Sequence, residues 1–226
     1  MNPSRRRYSY VGPEHIREAT TPGPGGRVIR RAGDLEPYPA WDGEPFTYVV
    51  GLDGLLRLAP RHSEHVACAG GGDVLGAGEI SFRRTPRGPQ VHEVSNQSTG
   101  YCPDPDSWPA VAAALDRAGI GRPDGFTHPL LFRRCDGCGE NNVVREGVFV
   151  CVFCDSDLPL AWNLAPPDRH DPRVRHGRRD RQGGRRGKGG EDGARAAEGP
   201  RERHRWAGMR RSGVGVLTVA SGHYVG

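Results

Sequence analysis

The sequence predicts an α+β fold, a small mixed or antiparallel sheet with one main helix, followed by a cysteine-bearing ribbon and a tail without structure. Three observations carry that reading. Short runs of β-branched and aromatic residues recur, separated by Gly, Pro and Asp turn signals. One stretch, around residues 106–119, combines helical spacing with a helical start and stop. After Leu164 apolar residues give way almost entirely to Arg, Gly, Asp, Glu, Pro and Ala.

Taken in order, Tyr8–Val11 is a short aromatic and β-branched run, and Gly12-Pro13 opens one helical turn behind it. Thr20–Gly26 reads as a Pro/Gly loop and Val28–Arg30 as a strand. Asp34 is placed to cap a helix that Pro37 and Pro39 would stop almost at once. Phe46–Val50 and Leu55–Leu58, joined through Asp53-Gly54, form the clearest hairpin. His62–Gly78 is glycine-rich and reads as irregular. Glu79–Arg83 and Val91–Val94 make a second hairpin around Pro86 and Gly88, and Asn96–Pro105 is polar loop. The main helix takes Asp106 or Ser107 as its cap and Pro109 in its first turn. Val111, Leu115 and Ala118 share one face of it, and Gly119 is the stop. Leu130–Arg134 is a strand that feeds the first cysteine pair.

Three regions follow: an α+β domain at 1–130, a ribbon at 131–164 and a disordered basic tail at 165–226. The chain's 34 Gly and 20 Pro with only 35% hydrophobic residues imply that part of it cannot bury enough to fold. Charge locates that part. Residues 165–226 carry fifteen Lys/Arg and seven Asp/Glu, a net +8, so the first 164 residues hold −3 of the chain's +5. The pI near 9.1 therefore belongs to the tail, which could touch nucleic acid non-specifically, while the acidic body does not fit a nucleic-acid binder. No apolar segment follows the N-terminal arginines and no run approaches a membrane span, so a cytoplasmic, reducing setting is expected. There, paired cysteines favour metal over disulfide. Thirty-one Arg against a single Lys, Lys188, has the look of a GC-rich bacterial genome.

The cysteines form two pairs, Cys135-Asp136-Gly137-Cys138 and Cys151-Val152-Phe153-Cys154, with twelve residues between them. Two thiolates separated by two residues can chelate one ion from a tight turn, and two such turns close a tetrahedral four-sulfur site. The expected occupant is one structural Zn2+, since a closed set leaves no position for substrate or activated water. Gly137 and Gly139 give the first turn its backbone freedom, and Asn141–Val144 and Gly147–Val150 are the expected ribbon strands around Arg145-Glu146. Cys68 and Cys102 are expected as free thiols, with a second metal site built from His62, His65 and one of them as the alternative.

A ligand pocket is the second candidate site. Gly70-Gly71-Gly72 permit close backbone approach or a tight loop, and His65 and Glu79 are an acid/base-capable pair beside them. Catalytic candidates are His65, Glu79 and Tyr101; ligand-binding candidates are Gly71, Gly72, Asn96 and Ser98. The structural alternative is that the glycines turn the chain, Glu79 lies on the surface and Tyr101 packs its ring. No phosphate loop of the Walker kind, nucleophile elbow, HExxH or GxGxxG is present.

His65, Gly71-Gly72, Val74, Ala77-Gly78-Glu79, then Asn96-Gln97-Ser98, Tyr101 and Pro103 form an ordered constellation. It resembles a pattern in plant IQ-motif calmodulin-binding proteins and in toxin-like or effector-like bacterial proteins, over roughly residues 48–120. In those proteins a His precedes Gly-Gly at the same interval, an Ala-Gly strand start follows, and an Asn-x-Ser-Gly-His-Tyr-x-Pro motif comes after a hairpin. Here Thr99-Gly100 replace Gly-His, so the second His is absent, and no IQ helix is seen. The resemblance implies an enzyme using His65 or Glu79 as base. Beside it stand a zinc-ribbon protein that binds an unidentified small ligand or protein partner, and a nucleic-acid-binding ribbon, which the scarcity of basic residues disfavours.

Overall fold

The computed structural model describes residues 6–20, 23, 25–36 and 45–165, together with the backbone of strands at 208–212 and 216–220. Helix α1 spans Glu14–Ala19, and strand β1, Arg27–Ile29, leads into a 3-10 turn at Ala32–Leu35. Asp34 does not cap that turn's start. Its carboxylate reaches back to accept the N–H groups of Arg30 and Arg31 from the third position. Pro37 and Pro39 lie outside the described residues. Strands β2 (Phe46–Gly51) and β3 (Leu56–Ala59) form the expected hairpin, with Gly54 in the left-handed region at φ 73° and the Asp53 carboxylate accepting the Leu55 N–H.

The segment His62–Gly78 is not irregular throughout. It holds the short helix α2, His65–Cys68, and strand β4 already begins at Val74 and runs twelve residues to Thr85. Strand β5, Gly88–Val94, pairs back along it. Five antiparallel strands then lie in the order β1-β3-β2-β4-β5. Gly76 and Gly78, read as part of that loop, are in β4 because neighbours approach too closely for a side chain. A Cβ at Gly78 would stand 2.0 Å from the Ser95 carbonyl oxygen, and one at Gly76 would stand 2.8 Å from a Val111 methyl.

Helix α3, Trp108–Ala118, covers one face of the sheet. Ser107 stands at its N-cap position, one of the two residues expected there, but its side chain makes no capping hydrogen bond. The side chain of Asp104 accepts the Asp106 N–H and caps a 3-10 turn, Pro105–Ser107, that runs straight into the helix. Gly119 stops α3 at φ 68°, where the Ile120 N–H bonds to the Leu115 carbonyl and the Gly119 N–H to that of Asp116. Val111, Leu115 and Ala118 pack onto Tyr48, Val50, Leu56, Leu58, Ile80 and Val94. Complete burial of Val111 and Leu115 is worth about 1.5–3 kcal/mol each. The opposite face, carrying Val49, Ala59, Val74 and Ala77, is covered by Tyr8, Val66, Cys68 and Tyr101. With both faces covered, β2 is buried at every position from Phe46 to Val50 instead of at alternate ones.

Strands β6 (Leu131–Arg134) and β7 (Asn141–Val144) pair with each other. This corrects the expected pairing of 141–144 with 147–150. The latter segment turns back tightly at Arg145–Val148 and pairs through Val150 with Asp157.

Residues 131–164 are fastened to the body at several points. The buried Asn96 amide accepts the Leu130 N–H at 2.7 Å and donates to the Leu130 and Pro103 carbonyls, standing in for a neighbouring strand. Phe132, Cys102 and Leu164 form a buried cluster, and the Trp162 indole N–H donates to the Cys102 carbonyl. Trp162 also meets Tyr8 edge-on, with centroids 5.3 Å apart, and Tyr8 is itself paired with Val74 at the start of β4. Arg133 is buried beside Asp104 and donates to the carbonyls of Phe132, Pro159 and Leu160. Of the tail, strands β8 (Gly208–Ser212) and β9 (Val216–Ala220) pair as an antiparallel hairpin. The rest of the expected disordered tail lies outside the described residues. Among the described residues no helix is long and apolar enough to cross a membrane.

Candidate metal centre

The first cysteine pair occupies the turn between β6 and β7. The Cys135 N–H bonds to the Glu140 carbonyl at 2.9 Å, and the Gly139 N–H bonds back to the Cys135 carbonyl. The second pair repeats this: the Cys151 N–H bonds to the Ser156 carbonyl at 2.8 Å, and the Asp155 N–H to the Cys151 carbonyl. Equivalent positions after each pair, Gly139 at φ 79° and Asp155 at φ 59°, take the left-handed conformation that closes the turn. Gly137 leaves room for Ser156, whose hydroxyl would lie 3.0 Å from a Cβ there.

The two turns face each other and bring four sulfurs together. All ligand atoms of Cys135, Cys138, Cys151 and Cys154 lie within 4.8 Å of one another. The Cys135–Cys154 and Cys138–Cys151 sulfurs are each 3.6 Å apart, far beyond the ~2.05 Å of a disulfide. Cys135 and Cys151 are buried and Cys138 and Cys154 exposed, so each turn supplies one inner and one outer sulfur. Among the described residues this is the one gathering of three or more His, Cys, Asp or Glu able to hold a metal ion.

Neutral hydrogen-bonding groups surround the sulfurs. The Asn142 amide and the Phe153 N–H each stand 3.5 Å from the Cys151 sulfur, and the Ser156 hydroxyl stands 3.4 Å from that of Cys154. The Ser156 hydroxyl and N–H, with the Cys138 thiol, hold the Cys154 thiol down to about 6. The Glu140 N–H favours the Cys138 thiolate, but desolvation and three neighbouring sulfurs outweigh it and push that thiol up to about 12. A divalent cation is the natural means of holding all four thiolates at once.

The other expected residues are placed differently. Cys68 is buried with its thiol toward the Arg57 carbonyl, and burial pushes it up to about 12. Cys102 is buried with its thiol toward the Thr99 carbonyl. His62 is exposed, and His65 turns to the Gly78 carbonyl at 3.0 Å, so the alternative second metal site is not formed. Several of the expected pocket residues act as latches within the protein. Tyr101 is buried, and its hydroxyl donates to the Gly72 carbonyl at 2.5 Å. Ser98 is buried and its hydroxyl accepts the Tyr101 N–H. Asn96 spends its amide on Pro103 and Leu130. Gly71 serves the turn after α2 at φ 84°. Glu79 lies in β4, where its backbone bonds to Ser95. Hydrogen bonds within the protein thus occupy His65, Asn96, Ser98 and Tyr101, which leaves the expected ligand pocket without support. A depression of about 300 Å3 lies elsewhere, lined by Ala32, Gly33, Glu36, Arg84, Thr85, Gly88 and Pro89.

Asn142 escaped the sequence reading, although a second polar residue inside an otherwise apolar strand of a cysteine hairpin was the available signal. No known protein family, curated protein or solved structure matches this chain. The likeness of residues 48–120 to the IQ-motif and effector-like proteins is therefore unsupported.

Proposed function

We propose that this chain is a zinc-ribbon protein in which Cys135, Cys138, Cys151 and Cys154 hold one structural Zn2+ and the ribbon offers a docking surface to a protein partner. The four converging sulfurs carry the reading. A tetrahedral ion with Zn–S bonds of about 2.3 Å sets its sulfurs roughly 3.8 Å apart, and two of the pairs already stand at 3.6 Å. Four soft thiolates in a closed tetrahedron suit zinc or iron and leave no open position for catalysis. Thiolates of this kind belong in a reducing compartment such as the cytoplasm.

The docking role is supported by the ribbon's outer face, where Val148, Val150 and Val152 are exposed while Phe149, Cys151 and Phe153 turn inward. A protein partner suits it better than a small ligand, because the side chains expected to line a pocket are occupied within the protein. Elemental analysis of the purified full chain should find close to one zinc per chain, and Cys138→Ser should lose it. A folded chain free of metal, or one loaded with iron in place of zinc, would refute the zinc assignment.

A further inference from the structure

A zinc ion held by four thiolates carries two net negative charges. The residues around it do not offset them, since 131–164 contain three Arg and five Asp/Glu. The stabilisation must come from neutral donors aimed at sulfur. Among side chains in hydrogen-bond contact with the cysteine sulfurs, two stand out, and they are unequal. Ser156 is exposed and touches an outer sulfur. Asn142 is buried, 3% exposed, and touches the inner sulfur of Cys151.

Asn142 also ties the two cysteine turns to each other. Its amide nitrogen donates to the Glu140 carbonyl at 2.9 Å, at the end of the first turn. Its amide oxygen accepts the Val152 N–H at 3.0 Å, within the second turn. The same Glu140 carbonyl accepts the Cys135 N–H. One side chain therefore fixes the separation of the turns and lowers the energy of one thiolate.

We infer that Asn142 is a positioning residue that sets the metal affinity of the four-cysteine site, and that it does so more strongly than Ser156. This rests on the metal reading above. In the full chain, the apparent Zn2+ affinity measured by competition with a chromophoric chelator should fall 10–100-fold in Asn142→Ala and only a few-fold in Ser156→Ala. Should Asn142→Ala fail to fold, Asn142→Asp keeps the shape and the acceptor for Val152 while removing the donor to sulfur, and it should lose affinity to at least the same extent. Loading with Co2+ gives a readout that a merely structural role would not move. Without its N–H donor the Cys151 thiolate is a better electron donor, so the thiolate-to-cobalt band should shift to the red in both Asn142 variants and not in Ser156→Ala. A wild-type chain that binds neither ion overturns the metal reading and this inference together. Wild-type binding with Asn142 variants within threefold of it, or with an unmoved cobalt band, overturns the inference alone.

Discussion

Replacing Arg133 with Met tests whether the cysteine hairpins and the sheet form one cooperative unit. The guanidinium is 6% exposed and lies 3.6 Å from the Asp104 carboxylate, itself 12% exposed. It donates to the Phe132 carbonyl at 2.7 Å, to Leu160 at 2.8 Å and to Pro159 at 3.1 Å. Met fills the space of the stem but leaves Asp104 a buried charge without its partner, at a cost of about 3–5 kcal/mol. For a chain of this size that lowers the midpoint of thermal unfolding by roughly 6–20 °C. Calorimetry of the metal-loaded full chain would read it. The variant Asp104→Ala and the double variant complete a cycle, in which the double should be less destabilised than the sum of the singles. A loss under about 1 kcal/mol for Arg133→Met, or strict additivity, would refute the claim that this pair fastens the two parts.

Two further outcomes are expected. Burial depresses the His65 imidazole from 6.5 to about 4. The unfolded chain therefore takes up a proton at His65 before the folded one does, and stability is lost as pH falls from 6.5 toward 4, by up to about 3 kcal/mol in all. Chemical denaturation across that window should show a shallower slope in His65→Gln than in wild type; identical slopes would contradict the depressed imidazole. Asp155, at φ 59°, occupies the place that glycine holds in the first cysteine turn. Asp155→Gly should raise the stability of the metal-loaded chain by up to about 1 kcal/mol, measured by calorimetry, and a loss would argue against strain there.

The cysteine turns were legible because their chemistry is local. Two residues between thiols, with Gly137 and Gly139 beside them, dictate a chelating turn whatever surrounds it. The Asp53-Gly54 hairpin and the Gly119 stop were legible for the same reason. What failed depended on distant partners. Asn141–Val144 is flanked by apolar runs on both sides, and nothing local decides that it pairs with Leu131–Arg134 instead of Gly147–Val150. Gly76 and Gly78 resembled a loop, because the Ser95 carbonyl and the Val111 methyl that exclude their side chains come from other elements. The hydrogen bonds of the pocket candidates His65 and Tyr101 close on backbone groups, Gly78 and Gly72, that a sequence does not mark as acceptors.

Through the edge-on contact of Trp162 with Tyr8, an ion held by the four cysteines would be linked to the start of β4, where Tyr8 pairs with Val74. Whatever melts together with the cysteine turns gains stability with the logarithm of free metal, about 1.4 kcal/mol for each tenfold rise above the dissociation constant. Whatever opens before them gains nothing. Amide exchange at Tyr8 and Val74, followed while free zinc is buffered over several decades, thus turns the ion into a ruler. Protection that climbs with zinc marks the reach of the four sulfurs, and the first amide whose protection stays flat marks where that reach ends.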